Sequence, residues 1–526
     1  MCTKKFTHKM PLVHQAWLAL FLVAIGLFSP FTSSAQGNVG ASLPQLGDGS
    51  EMPSSAERRI GDRIARELYR DPDYIDDPVL GDYVQNIWQP LLAAARARGD
   101  LTPELDEHFA WQVMMGRDRS VNAFALPGGY LGLHLGLLAV VSNRDELASV
   151  LGHELSHVTQ RHIARMLAKS GQQAPWMIGA MILGALAASK NADAGNALMV
   201  GGQALSAQSQ LNFSRDMERE ADRVGLGVMT QAGFESQGFV TMFDKLQQAS
   251  RLNDNGAYPY LRSHPLTTER IADMQSRLPS NASHTTPTGS VHAMMASRAR
   301  VLSNPAADAL LGWQDQVKDA GLQKQTLAKQ AGVWYGAALA ASNLRLFADA
   351  RQHLKQLKTL VATDAGALQQ ANWLMVEIAL AARDLSPLQL LALGPEVGLD
   401  MAQGSADRFS RTELLLQAQI AIQARQKDVL ALVGQRLQTW VTQHPTDSTA
   451  WQALSGIFEA QGQSLRALRA EAESWVARLD YVPALDRLRA ARTRLQSVGN
   501  TSANRIEASI IDARFRQIEK LRDVHE

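Results

Sequence analysis

The chain has 526 residues, 46% of them hydrophobic and 20% charged, which excludes a wholly disordered or integral-membrane protein and exceeds one ordinary core. Its 52 Lys and Arg stand against 51 Asp and Glu, and loss of three N-terminal lysines leaves a formal charge of −2, so no nucleic-acid partner is expected. Cys2 is the only cysteine and lies in the N-terminal leader, so the remaining chain has neither disulfides nor thiol chemistry.

Lys4, Lys5 and Lys9 precede an apolar run from Ala16 to Phe28, followed by the small residues Ser33 and Ala35. Residues 1–35 therefore read as a cleaved secretory signal. The 13-residue run is short for a membrane span, and an uncleaved signal anchor is the alternative. An exported chain of this size without cysteine fits a bacterial periplasm better than a disulfide-rich exterior. Residues 36–55 form a lead rich in Gly, Ser and Pro.

The first folded domain is placed at residues 56–283. Helical spacing begins at Glu57 ("ERRIGDRIARELYRD") and again at Pro78 ("PVLGDYVQNIWQPLLAAARARG"). "FAWQVMMG" and "VNAFALPGGYLGLHLGLL" alternate apolar residues with glycine punctuation, which predicts strands or a hairpin. Asn143 and Glu146 then cap a helix carrying Leu147, Val150, Leu151, Leu155 and Val158. The apolar run 176–189 predicts a buried helix or hairpin over the site, with peripheral membrane contact as the alternative.

Residues 284–300 read as a linker. From 301 to 505, helical hairpins rich in Ala, Leu, Gln and Arg form a tetratricopeptide-like pattern of roughly two to four divergent pairs. Residues 506–526 close the chain as a helix. The predicted fold class is mainly α: an α+β domain with a small sheet, then an α-helical repeat domain.

The chemistry lies in "GHELSHVTQRH". Residues four apart on a helix share a face, so His153 and His157 can hold one metal ion, and neutral imidazole is a common zinc ligand. Glu154 falls within the apolar arc of Leu147, Leu151 and Val158, where an uncompensated carboxylate is costly. Beside a metal that acidifies water it would serve as general base. Zinc needs a third protein ligand, and "FSRDMEREADRVG" offers Glu218. Asp222, one turn later on the same face, can accept the free N–H of a ligating histidine. Alone, either set has a plain reading, as exposed histidines or as a solvated charged helix. Together they read as one site.

At this point "HELSH" and "SRDMEREAD" resemble the Ste24/HtpX-type zinc metallopeptidases. Their third ligand, the glutamate four residues before the aspartate of E-x-x-A-D, maps to Glu218. "NAFALPGGYLGLHLGLL" and "SHPLTTERI", with His264, are similar as well, and the likeness spans roughly residues 57–280. The resemblance implies a zincin-like domain, one zinc ion per chain and peptide hydrolysis. A leader in front and helical repeats behind resemble the periplasmic beta-barrel assembly-enhancing group of these proteases. That implies unfolded or misassembled outer-membrane proteins as substrates and the beta-barrel assembly machinery as a docking partner of the repeats.

Asn122 to Leu126 is either an edge strand on which an extended peptide pairs beside the metal, or an ordinary core strand. His264 lies on a turn stiffened by Pro265, ahead of a helix start at Thr267. It is an oxyanion donor, an occupant of the open metal position that holds the enzyme off, or a structural turn histidine. His134 is expected on a strand surface and His162 off the ligand face. The expected activity is a periplasmic zinc endopeptidase with His153, His157 and Glu218 on the metal, Glu154 as base and Asp222 in support. The alternative is a chaperone or assembly adaptor with latent or structural zinc, because a structural site is closed by protein ligands.

Overall fold

The computed structural model describes residues 52–169, 213–251, 257–278, 288–383, 409–497 and 501–525, all within one unit, Ser50–Glu526. The leader, nearly all of the lead and the run 176–189 lie outside the described residues. Helix α1 (Ser54–Arg70) and strand β1 (Tyr74–Ile75) come first. Helix α2 (Pro78–Arg98) starts on proline, where no N–H is missed; the Asp77 carboxylate accepts the Leu80 N–H, and left-handed Gly99 ends the helix.

Helix α3 (Pro103–His108) leads into β2 (Gln112–Gly116), β3 (Ala123–Leu126) and β4 (Tyr130–His134). The sheet order is β1-β2-β4-β3, with β4 parallel to β2 and antiparallel to β3, so β3 is an edge strand. Gly128 and Gly129 turn the chain between β3 and β4 at φ of 73° and 83°, angles that a side chain would resist.

Helix α4 (Leu135–Val140) precedes α5 (Arg144–Thr159), the helix of the two histidines. Asn143 caps α5 by accepting the N–H groups of Asp145 and Glu146. Glu146 reaches back to the Ser142 N–H at 2.6 Å. Then follow α6 (His162–Lys169), α7 (Arg215–Gln231), α8 (Gln237–Arg251), α9 (Tyr260–Ser263) and α10 (Thr268–Ser276).

Helix α5 is buried on every side from Asp145 to Thr159. It crosses α7 at a pair of glycines. A Cβ on Gly152 would meet the Gly225 carbonyl oxygen at 3.2 Å, and one on Gly225 would lie 3.0 Å from the Gly152 main chain and from His153 N. A methyl group at either position would require the two main chains to give by a few tenths of an ångström. Glu218 and Asp222 lie about two turns and one turn before Gly225 on α7, and the crossing brings both to the histidines.

The rest is helical: α11 (Ser290–Ser303), α12 (Ala307–Asp315), α13 (Leu327–Asn343), α14 (Phe347–Leu360) and α15 (Ala365–Ala382). After these come α16 (Arg411–Ala424), α17 (Lys427–Gln443), α18 (Ser448–Ala460), α19 (Ser464–Ala477), α20 (Tyr481–Leu495) and α21 (Ser502–His525). Helices adjacent in sequence pack on one another, as α13 on α14 and α18 on α19.

The linker expected at 284–300 is a correction. From Ser290 it is α11, and Met294, Met295, Ala299 and Val301 are buried in the same apolar cluster as Leu80, Leu131 and Leu151. Its unbranched methionines fill the gap between elements, a role that the loop-forming residues just before it conceal in the sequence. Among the described residues, no helix is long and apolar enough to cross a membrane.

Two adjacent acids bind the halves together. Asp77 holds Arg298 of α11 at 2.7 and 2.8 Å, and Arg298 also holds Glu377 at 2.7 Å and the Tyr335 hydroxyl at 3.0 Å. Asp76 holds Arg411 of α16 at 2.6 and 2.8 Å, while Arg411 also reaches Asp447 at 2.8 Å.

Replacing Arg298 with Leu leaves two acids without their cation, and the loss should be about 3–5 kcal/mol, read as a lower unfolding midpoint. Gly225→Ala forces α5 and α7 apart. It should cost about 1–3 kcal/mol in the same assay and weaken metal retention.

Candidate metal centre

His153 and His157 bring their Nε2 atoms to 3.0 Å from each other. Glu218 of α7 lies across from both, 3.5 Å from His153 Nε2 and 3.4 Å from His157 Nε2. His264, just after α9, adds its Nδ1 at 3.0 Å from Glu218 Oε1 and 3.3 Å from His153 Nε2. One donor atom from each of the four falls within 4.8 Å of the others, and none of the residues is more than 2% exposed.

Aromatic rings hold the imidazoles in place. Tyr260 stacks on His264 with centroids 4.7 Å apart, and Phe213 stacks on His157 at 3.8 Å. His264 follows a single helical turn, its N–H on the Tyr260 carbonyl, and Thr267 caps α10 directly afterwards.

Behind His153, Asp222 Oδ1 lies 3.0 Å from Nδ1. Arg270 clamps both Asp222 oxygens at 2.6 and 2.7 Å and donates to the Pro265 carbonyl at 2.9 Å, which ties the His264 turn to α7. Behind His157 stands His162, with Nδ1 to Nδ1 at 2.8 Å. His162 Nε2 lies 3.0 Å from Glu220, which Arg165 also holds at 2.9 Å. Burial favours neutral Glu220, but Arg165 and His162 outweigh it and hold the pKa below the usual carboxylate value.

An ionised carboxylate only accepts, so His162 donates from Nε2 and accepts at Nδ1. His157 must then donate from its own Nδ1, which leaves the Nε2 lone pair facing the donor cluster.

Burial also acts on the donors. It pushes the His157 pKa well below its ordinary value, against the pull of Glu218. At His153 burial is outweighed by Asp222 and Glu218, which push the pKa up to about 9. At Glu218 burial is outweighed by His264, His153 and His157, which hold the carboxyl well below its usual range. Imidazole nitrogens and a carboxylate oxygen gathered in one buried cluster are a donor set that suits zinc.

Glu154 is fully buried. Its Oε2 accepts the Ala125 N–H of edge strand β3 at 2.9 Å, while Oε1 has no hydrogen-bond partner among the described residues. His264 Nε2 also lacks one and lies 3.5 Å from that oxygen. The structure thus gathers all six residues singled out in the sequence: His153, Glu154, His157, Glu218, Asp222 and His264.

His134 is a correction, being 5% exposed with its Nδ1 2.9 Å from Ser120 Oγ. Sequence reasoning missed Arg270 and the part taken by His162. Arg270 is 48 residues from Asp222 and carries no local signal, whereas the five-residue step from His157 to His162 hides a contact made by the break between α5 and α6.

The profile of Peptidase family M48 matches residues 83–278. A provisionally named beta-barrel assembly-enhancing protease of Vibrio cholerae is 33% identical over 342 residues, 64% of this chain and 67% of its own. The beta-barrel assembly-enhancing protease of Yersinia pestis is 29% identical over 514 residues, 96% of this chain and all of its own. That of Escherichia coli K12 is 27% identical over 525 residues, 95% of each chain. The matched segment runs through both histidines of α5, Glu218 and His264, and the chain belongs to peptidase family M48 and is a metallopeptidase.

Proposed function

We propose that this chain is a periplasmic zinc endopeptidase that hydrolyses unfolded or misassembled outer-membrane proteins. Its tetratricopeptide-like helices, from about residue 301 on, dock the substrate or the beta-barrel assembly machinery. One observation carries the catalytic part: the unpartnered Oε1 of Glu154 beside the buried donor set of His153, His157 and Glu218. The names of the relatives support the substrate class, and the pattern of residues 1–35 supports export.

His153, His157 and Glu218 would hold the zinc, which when bound supplies Lewis-acid polarisation of a carbonyl and acidifies water. Glu154 takes the proton of the attacking water on Oε1 and passes it to the leaving amine. Its other oxygen is fixed to the Ala125 N–H, so the base and the edge strand move as one. An extended, unfolded segment that pairs with the edge groups of β3 other than the Ala125 N–H would lie beside the base. Asp222 with Arg270, and His162 with Glu220, orient the two ligand histidines from behind.

His264 favours a second state. With it the site has four protein donors, the closed arrangement of a structural or latent zinc, which is the observation behind the assembly-adaptor reading. Swinging His264 aside leaves the three-ligand set of a catalytic site.

With residues 36–526 and a denatured outer-membrane beta-barrel protein, Glu154→Gln should bind as much zinc as the parent and release no fragments. His264→Ala should keep its zinc and cut faster than the parent. If the parent and His264→Ala are both inert at full zinc occupancy, the adaptor reading replaces the peptidase. His162→Phe should lower zinc affinity by about 10–100-fold in chelator competition. His162→Gln, whose amide can both accept and donate, should keep most of it.

A further inference from the structure

A second polar cavity of about 440 Å³ shares no residue with the metal centre. It opens where the end of α4 meets α11 and the segment from α12 to α13. Arg300 and Lys329 line it together with Ser142, Ser297, Trp313 and Val333, and neither Asp nor Glu is among its described lining residues.

Arg300 donates through Nη2 to the Ala139 carbonyl and has no carboxylate partner among the described residues. The contrast with Arg298, two residues earlier and gripped by Asp77 and Glu377, is direct. Glu146, whose charge is felt at His292 on this wall, is already held by Lys245 at 2.6 Å. His292 adds no charge, because burial lowers its pKa; its nitrogens are engaged by the Tyr83 hydroxyl at 2.6 Å and the Val141 carbonyl at 2.9 Å. Three lining hydroxyls are available to a ligand: Ser142 Oγ accepts from Lys245 and Thr326 Oγ1 from the Lys329 N–H, so each keeps its own hydrogen, and Ser297 Oγ has no protein partner among the described residues.

Arg300 and Lys329 thus line one cavity whose described lining residues include no carboxylate, a charge pattern that an anion from outside would complement. We propose that this cavity binds an oxyanion, a carboxylate or phosphate borne by a small ligand, with Arg300 and Lys329 as its charged partners and Ser142 and Ser297 as hydroxyl donors. A planar guanidinium matches two oxygens of such a group at once. The volume exceeds a bare anion and falls in the range of small-molecule sites, and Trp313 and Val333 offer an apolar wall to the rest of the ligand.

The test uses zinc-loaded residues 36–526 in calorimetric titrations at low salt. The probes are inorganic phosphate, N-acetyl-leucine and the amide of N-acetyl-leucine, and the variants are Arg300→Gln and Lys329→Gln. At least one anion should saturate the parent, weaken by about tenfold or more in each variant, and lose affinity as salt rises, while the uncharged amide fails to bind. Binding of N-acetyl-leucine alone assigns the site to organic acids or chain termini; binding of phosphate alone assigns it to phosphorylated ligands. The proposal is overturned if neither anion saturates, if the amide binds as well as the acid, or if either folded variant binds like the parent. Lys329 is exposed, so Lys329→Gln decides the matter even where Arg300→Gln fails to fold.

Discussion

Helices α5 and α7 touch main chain to main chain at Gly152 and Gly225, and the whole donor set depends on that contact. Each helix carries part of the candidate donor cluster: His153 and His157 on α5, Glu218 with its neighbour Asp222 on α7. The close crossing, with no side chain at either contact residue, brings Glu218 within 3.5 Å of both histidines. The rest of the domain serves this crossing, since α5 is buried on all sides and the sheet supplies the wall on which Glu154 rests.

Around the crossing, buried polar groups divide into two kinds. Asp222, Arg270 and His162 are held by partners on both sides, as burial in a low-dielectric interior demands, with half-exposed Glu220 closing the chain from His162. Glu154 Oε1 and His264 Nε2 are left without hydrogen-bond partners among the described residues. Two unsatisfied polar atoms so close together are costly for folding alone, and they mark the place where chemistry rather than stability set the residues. A further unmet requirement, the guanidinium of Arg300, sits in a cavity of its own. It stands out because the neighbouring Arg298 is fully engaged.

The helical half is not tethered at arm's length. Asp76 and Asp77, side by side before α2, each hold an arginine from a different part of that half, and α11 packs into the peptidase core. These helices are therefore fixed in orientation relative to the edge strand.

What the sequence determined by itself was the local chemistry. Helix periodicity and capping placed α1, α2 and α5, and glycine punctuation with apolar alternation placed β2 to β4. The spacing of His153, Glu154 and His157, with Glu218 and Asp222 one turn apart, pointed to the candidate donor cluster, because residues that share a helix face have a fixed separation along the chain. Only the tertiary structure decided what crosses between elements. Arg270 reaches Asp222 from 48 residues away, His162 comes behind His157 through a break between helices, and β3 proves to be an edge through a strand order that no single strand encodes. The stretch 284–300 looked like a linker because the burial of its methionines requires partners from both halves. His264 is the clearest case. Its turn was legible, but its place as a fourth donor depends on Arg270 holding the Pro265 carbonyl and Asp222 together, a contact that periodicity cannot carry.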